Sequence, residues 1–287
     1  MVKRANRFML LLVLYMQLLG VLIYFAAVFF ENATGIKTNF QYLQAVTLIL
    51  AFGVPFLLYF KITRQKISET IPLKRLEPGN VLLITAMSIF AVPAVMVVSA
   101  ASSFFFENNA AVFLDEMTAL PALTAILIAA LIPAVFEEFI FRGVLLHELN
   151  SLSIKKTAVL SGFFFGLMHM DLQQFPYAII MGFFFAYLVY YTKSIFAPVL
   201  SHFAVNAASV VTGYASGGGD VPFPIIPALI VSVPAFIFTY KYFISRNGKN
   251  VTEEIILSEN ENAQKIPTWE FWALIAVYLI VAAFTVF

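Results

Sequence analysis

Two adjacent glutamates, Glu137 and Glu138, stand with Arg142 in the stretch PAVFEEFIFR that runs from Pro133 to Arg142. The surrounding residues are apolar and predict a helix from about Ala119 to Leu149. A charge near the middle of a bilayer costs about 2.5 kcal/mol or more, so it persists only when paired, hydrated or used. On a helix, Glu138 and Arg142 are i,i+4 neighbours with the acid first, the favourable order. Glu137 projects about 100° away and is free to face a cavity. Pro133 is expected to kink the helix and release a backbone carbonyl close by. A structural ion pair that locks two helices together accounts for Glu138 and Arg142. It leaves Glu137 without a partner.

The chain has three histidines. His169 closes the pattern Phe165-GLM-His169, and His202 opens His202-FAV-Asn206, which puts imidazole and amide on one helix face. Both lie in apolar segments, where an unpaired imidazole is costly. His147 falls at the cytoplasmic end of the motif helix and reads as an interfacial residue without a role. Glu137, His169 and His202 are thus an acid and two imidazoles on three helices. That set can polarise a water by general base catalysis, with Glu137 taking the proton and a histidine sharing it. It can equally supply the ligands of a catalytic zinc. Asn206 is a candidate donor to an oxyanion developing on an attacked carbonyl. Either route points to hydrolysis of a carbonyl bond.

The elements that position these groups are membrane helices. Of the 287 residues 61% are apolar and 11% charged, with a mean hydropathy of +0.90; soluble domains carry about 25% charge. No basic cluster suggests nucleic acid. The absence of cysteine from the sequence excludes disulfides, thiolate metal sites, iron–sulfur clusters and thiol nucleophiles. The apolar run Phe8–Phe30 behind MVKRANR is too long for a signal peptide and is read as a retained span. Further spans are predicted at Tyr42–Phe60, Val81–Ala101, the motif helix, a short segment Thr157–Met170, Phe175–Tyr191, Ala197–Tyr214, Phe223–Ile244 and Trp269–Phe287. A basic linker occupies 61–80, an acidic loop 102–118 and a polar loop 245–267. With the N-terminus in the cytoplasm, every Lys and Arg except Lys37 falls on the inner side, as the positive-inside rule requires. The expected fold is an all-α polytopic bundle of about eight to nine spans, with the short fifth segment able to be re-entrant. Its parts are N-terminal spans (1–118), a motif-bearing core (119–214) and C-terminal spans (215–287). Gly162-FFF-Gly166 and Gly182-FFF-Ala186 suggest close helix packing. Counted along straight helices, His202 lies about 8 Å deep, Glu137 about 5–10 Å and His169 about 18 Å. A tilted fifth segment or a funnel open to the cytoplasm is needed to unite them, and the funnel is the expectation.

Glu137-Glu138-xxx-Arg142-Gly143, Phe165-xxx-His169 and His202-xxx-Asn206, in this order on successive helices, resemble the three motifs of the CPBP intramembrane proteases. That family comprises CAAX-processing endopeptidases and bacteriocin-processing or self-immunity (Abi) proteins. The resemblance covers about 119–214 and implies a membrane endopeptidase of a bacterial or archaeal cell membrane, acting on a membrane-associated peptide or protein. By the family pattern Glu137 activates water with help from His169, His202 and Asn206 stabilise the oxyanion, and Glu138 with Arg142 supports the site. The family has been described both as a metalloprotease and as a metal-free glutamate enzyme. An amide beside His202 suits a donor pair better than a ligand set, so no metal is favoured; zinc on Glu137, His169 and His202 is the alternative. Eukaryotic CAAX enzymes cut prenylated tails, and nothing in this sequence shows a prenylated substrate.

Other chemistries fit less well. His147-Glu148 begins a zincin motif, but Ser151 stands where the second histidine belongs. Gly217-Gly218-Gly219-Asp220 spells the GxGD of intramembrane aspartyl proteases but falls in a polar loop. Ser201 cannot face the adjacent His202 as a serine nucleophile. The same cluster could serve as a proton relay in a transporter, although Pro133 has no counterpart in a second half. A non-catalytic immunity or scaffold protein would use it for partner binding.

Overall fold

The computed structural model describes residues 2–215, 224–258 and 266–286. The Gly217–Asp220 motif lies outside them. The described residues form helices joined by short loops: α1 (Val2–Thr34), α2 (Phe40–Thr63), the single turn α3 (Ile67–Thr70), α4 (Pro78–Ser102), α5 (Asn109–Thr118), α6 (Ala122–Glu148), α7 (Ile154–Met168), α8 (Phe175–Thr192), α9 (Phe196–Ala215), α10 (Ile225–Ser258) and α11 (Trp269–Val286). Seven of them (α1, α2, α4, α6, α8, α9 and α10) are long and apolar enough to cross a membrane. The protein is an all-helical polytopic bundle. At 15 residues, α7 reaches about 22 Å, short of a hydrocarbon core of about 30 Å.

Burial differs sharply among the helices. Half of the apolar window of α6 is buried, against 6% for α10. Helix α1 is buried only near its start, at Val2, Ala5, Met9 and Val13, and exposes Leu18, Phe25 and Phe29 beyond it. Exposed apolar surface of this kind suits lipid, because a helix keeps its own backbone hydrogen-bonded. On α6 every position from Ile140 to Leu146 is buried. Ile71, from the linker after α3, packs directly against Gly143, where a Cβ would collide with it.

Helices α7 and α8 approach as the glycine patterns predict. A Cβ on Gly162 would come within 2.7 Å of the Ile179 carbonyl, and one on Gly182 within 2.7 Å of the Gly162 Cα. Only glycine permits that approach.

Two expected loops are helical in part, over Asn109–Thr118 and as far as Ser258. Within 102–118, α5 is capped by the Asn108 side chain, which accepts from the Ala111 N–H at 3.0 Å. Phe113, Leu114 and Met117 form its inward stripe, packed with Val210 of α9, while Asp115 and Glu116 stay exposed. At the other end, α10 continues past Ile244 to Ser258. Its polar turns are paired: Asn247 and Asn80 exchange two amide hydrogen bonds of 3.0 Å, Arg246 meets Glu77 at 3.0 Å, and Asn250 donates to the Tyr191 carbonyl at 2.6 Å. Polarity alone therefore misreads both segments.

Candidate active site

Helix α6 carries two π-helical stretches, Leu127–Leu131 and Phe139–Leu145, on either side of a regular turn from Ile132 to Glu138. Such widened turns shift the helix register and recur at functional sites. Pro133 sits at the start of the regular turn and cannot donate to the carbonyl of Ala129, four residues earlier. The Asn206 amide of α9 donates to that carbonyl at 3.3 Å.

Glu138 is fully withdrawn from solvent. One of its oxygens, Oε1, accepts from Arg142 Nη1 at 3.0 Å and from His202 Nδ1 at 2.9 Å. Arg142 uses Nη2 to reach the Gly182 carbonyl of α8 at 2.9 Å. Its guanidinium lies 4.5 Å from the Phe165 ring centre, 5.2 Å from Phe185 and 5.6 Å from Phe141. The faces of these rings offset part of the cost of burying the cation. The predicted i,i+4 pair thus exists, and it fastens α6 to α8 and α9. It is not saturated: Glu138 Oε2 and Arg142 Nε have no hydrogen-bond partner among the described residues.

The two imidazoles are held alike. A carboxylate can only accept, so His202 Nδ1 donates to Glu138 and Nε2 stays available on the opposite edge of the ring. His169 Nδ1 lies 2.8 Å from the Phe165 carbonyl, again an acceptor only, which leaves its Nε2 available too. Phe165 joins the two: its ring meets His169 edge-on at 4.9 Å and His202 edge-on at 5.7 Å. Phe185 stacks on His202 at 5.3 Å.

His169 is anchored from the far side by the loop that follows α7. Met170 takes a left-handed conformation, φ 51°. Asp171 then accepts the backbone N–H groups of Gln173 at 2.7 Å and Gln174 at 3.1 Å, and the Asn109 amide at 3.2 Å. Gln173, fully buried, donates to Ser99 Oγ at 2.8 Å on α4. These contacts fix how deep the imidazole lies.

Glu137 differs from its neighbour in every respect. It lies deep among protein atoms, with the titratable groups His202, His169, Glu138 and Arg142 around it. It nonetheless keeps accessible surface, as a group lining a cavity does, and makes no hydrogen bond to the described residues. The structure therefore brings all six expected residues, Glu137, Glu138, Arg142, His169, His202 and Asn206, into one neighbourhood. Among the described residues no three His, Asp or Glu side chains converge to hold a metal ion.

Three participants escaped the sequence reading. Gly182 was visible only as a packing glycine, Phe185 carried no signal, and Ala129 enters through its backbone. Beside His147, Glu148 is buried and bound by Arg4 Nε at 2.9 Å and the Tyr59 hydroxyl at 2.7 Å.

The region that carries these residues is similar to known proteins. Residues 119–208, which contain the three motifs but not the flanking helices, match the family described as type II CAAX prenyl endopeptidase Rce1-like. This region is therefore similar to the type II CAAX prenyl endopeptidases. It is 31% identical over 106 residues to the Bacillus subtilis (strain 168) protein named "Putative membrane peptidase YdiL". The similarity spans 37% of this chain and 42% of that protein, so it covers less than half of either. No solved structure matches the chain.

Proposed function

We propose that this protein is an intramembrane endopeptidase that hydrolyses a peptide bond of a membrane-associated protein or peptide with a water activated by Glu137. One observation carries the reading: of two adjacent glutamates, Glu138 is buried and bonded to Arg142 and His202, while Glu137 is deep, partly accessible and unbonded to protein. A carboxylate of that kind is a base awaiting a proton. Glu137 removes a proton from water as the water oxygen bonds to the substrate carbonyl carbon. His169, with Nε2 available, accepts a second hydrogen bond from that water and orients it. His202 donates from Nε2, when protonated there, to the oxyanion, and Asn206 is the second donor. Glu138 and Arg142 hold the His202 ring in place. Collapse of the intermediate breaks the C–N bond, and the proton held by Glu137 passes to the departing amine.

The family match supports 119–214 as the catalytic core, with the helices of 1–118 and 215–287 flanking it. A CAAX-like protein tail and a bacteriocin-type peptide are the two substrate classes the family suggests. The site lies in a cell membrane, with the N-terminus cytoplasmic according to the distribution of Lys and Arg.

The test is cleavage of a membrane-embedded reporter peptide library by the purified, detergent-solubilised protein, beside Glu137→Ala, with and without a strong chelator. Cleavage lost in Glu137→Ala and kept in chelator is the expected result. Cleavage lost in both and restored by zinc would move Glu137 and the histidines to a metal shell. A Glu137→Ala protein as active as the parent would remove Glu137 from the reaction.

A further inference from the structure

We infer that Asn206 is a positioning residue, bracing the Glu137-bearing turn by taking up the backbone carbonyl that Pro133 leaves without a donor. The inference rests on the reading of Glu137 as the base, but the brace itself is a separate physical claim.

The argument begins with the backbone. A helical carbonyl normally accepts the N–H four residues on, and for Ala129 that residue is Pro133, which has none. Ala129 lies in the π-helical stretch Leu127–Leu131, and the α-helical register in which Pro133 would be its partner resumes at Ile132, so the two registers meet at this carbonyl. In a membrane helix an orphaned carbonyl must find another donor. Ala129 is itself buried, and the Asn206 Nδ2 at 3.3 Å is the donor. Because the acceptor is a carbonyl, only the NH₂ end of the amide can face it, which fixes the orientation of the Asn206 side chain.

The position of this bond matters as much as its existence. Asn206 lies one turn after His202 on the same face of α9. His202 grips α6 at Glu138, and Asn206 grips it at Ala129. The two attachments fall on either side of Glu137 along α6. Helix α9 therefore spans the catalytic turn like a splint, with one end on a side chain and the other on the backbone. One amide N–H is committed to this duty, so loss of Asn206 displaces Glu137 as well as removing any donor to substrate.

Replacing Pro133 by a residue with an N–H gives Ala129 its ordinary partner and makes the brace redundant. The experiment is a double-mutant cycle on the full chain in detergent: parent, Pro133→Ala, Asn206→Ala and the double variant. Pro133→Ser serves as the second N–H donor should Pro133→Ala not assemble. Thermal midpoints are measured first, then kcat and KM on a cleaved reporter at a temperature below all four midpoints. Asn206→Ala is expected to lower kcat on the order of 10- to 100-fold with KM little changed, as a displaced catalytic group does, and to lower the midpoint by about 2–4 °C. With Pro133→Ala the loss of midpoint shrinks by more than half, and the loss of kcat shrinks to what the missing oxyanion donor alone costs.

An equal loss of kcat in both backgrounds would overturn the brace and leave Asn206 as an oxyanion donor alone. A midpoint that moves while kcat stays constant would reduce the contact to a structural one and overturn the positioning role. If no peptide is cleaved even by the parent, it is the proposed function that has failed. The midpoint cycle then still decides the brace: coupling between Pro133 and Asn206 upholds it, and additivity refutes it.

Discussion

Ten positions apart on α6, Glu138 and Glu148 are both hidden from solvent, and each is held by an arginine. The resemblance ends there. Glu148 spends both oxygens, one on Arg4 at 2.9 Å and one on the Tyr59 hydroxyl at 2.7 Å, and Arg4 is itself 56% exposed. The group is saturated and reaches solvent through its cation. It staples the start of α1 and the end of α2 to the end of the motif helix. Glu138 instead loads both partners onto one oxygen, leaves the other unbonded, and shares them with a fully buried arginine and an imidazole that keeps a free nitrogen. Beside it stands Glu137, which bonds to nothing in the described protein. A buried acid with both oxygens bonded is a fastener; a cluster with spare capacity next to an unbonded acid is equipped for chemistry.

The difference can be broken or sharpened by substitution. Glu137→Gln keeps shape and removes the base, so cleavage should fall by about 10²- to 10⁴-fold while the thermal midpoint stays at the parental value. Arg142→Met leaves Glu138 buried without a counter-charge. It should cost about 3–5 kcal/mol, seen as a large fall in unfolding midpoint or failure to purify as a folded protein. Gly182→Ala places a Cβ 2.7 Å from the Gly162 Cα and 3.2 Å from Arg142 Nη2. Prising α7 from α8 should cost about 1–3 kcal/mol and lower activity through the displaced guanidinium. Glu148→Gln weakens a pair whose arginine is half in solvent. A loss of about 1–2 kcal/mol in unfolding free energy is expected, with the cleavage rate close to parental.

The same contrast explains what was legible in the sequence. Charges in an apolar helix announce themselves, because the membrane tolerates them only when they are paired, hydrated or used, and Glu137, Glu138, Arg142, His169 and His202 stand out on that ground. Their grouping was harder to see. Depths counted along straight helices kept His169 apart from His202, whereas the packed structure joins them through Phe165. The freed carbonyl near Pro133 was foreseeable from proline chemistry, but not its partner, which comes from a helix 77 positions away. The role of Glu148 was invisible for a like reason: Arg4 lies 144 positions distant. The segment 102–118 turns helical because an apolar stripe packs on α9, and the expected loop 245–267 is helical as far as Ser258, where amides and an ion pair on neighbouring helices meet its polar residues.

The most direct test of the account sets Glu137→Gln beside Glu148→Gln, with cleavage rate and thermal midpoint read on the same preparations. The account predicts opposite signatures: Glu137→Gln silent at a parental midpoint, and Glu148→Gln active at a lowered one. A Glu137→Gln protein that cuts at the parental rate, or that loses activity only in step with its fold, would contradict it.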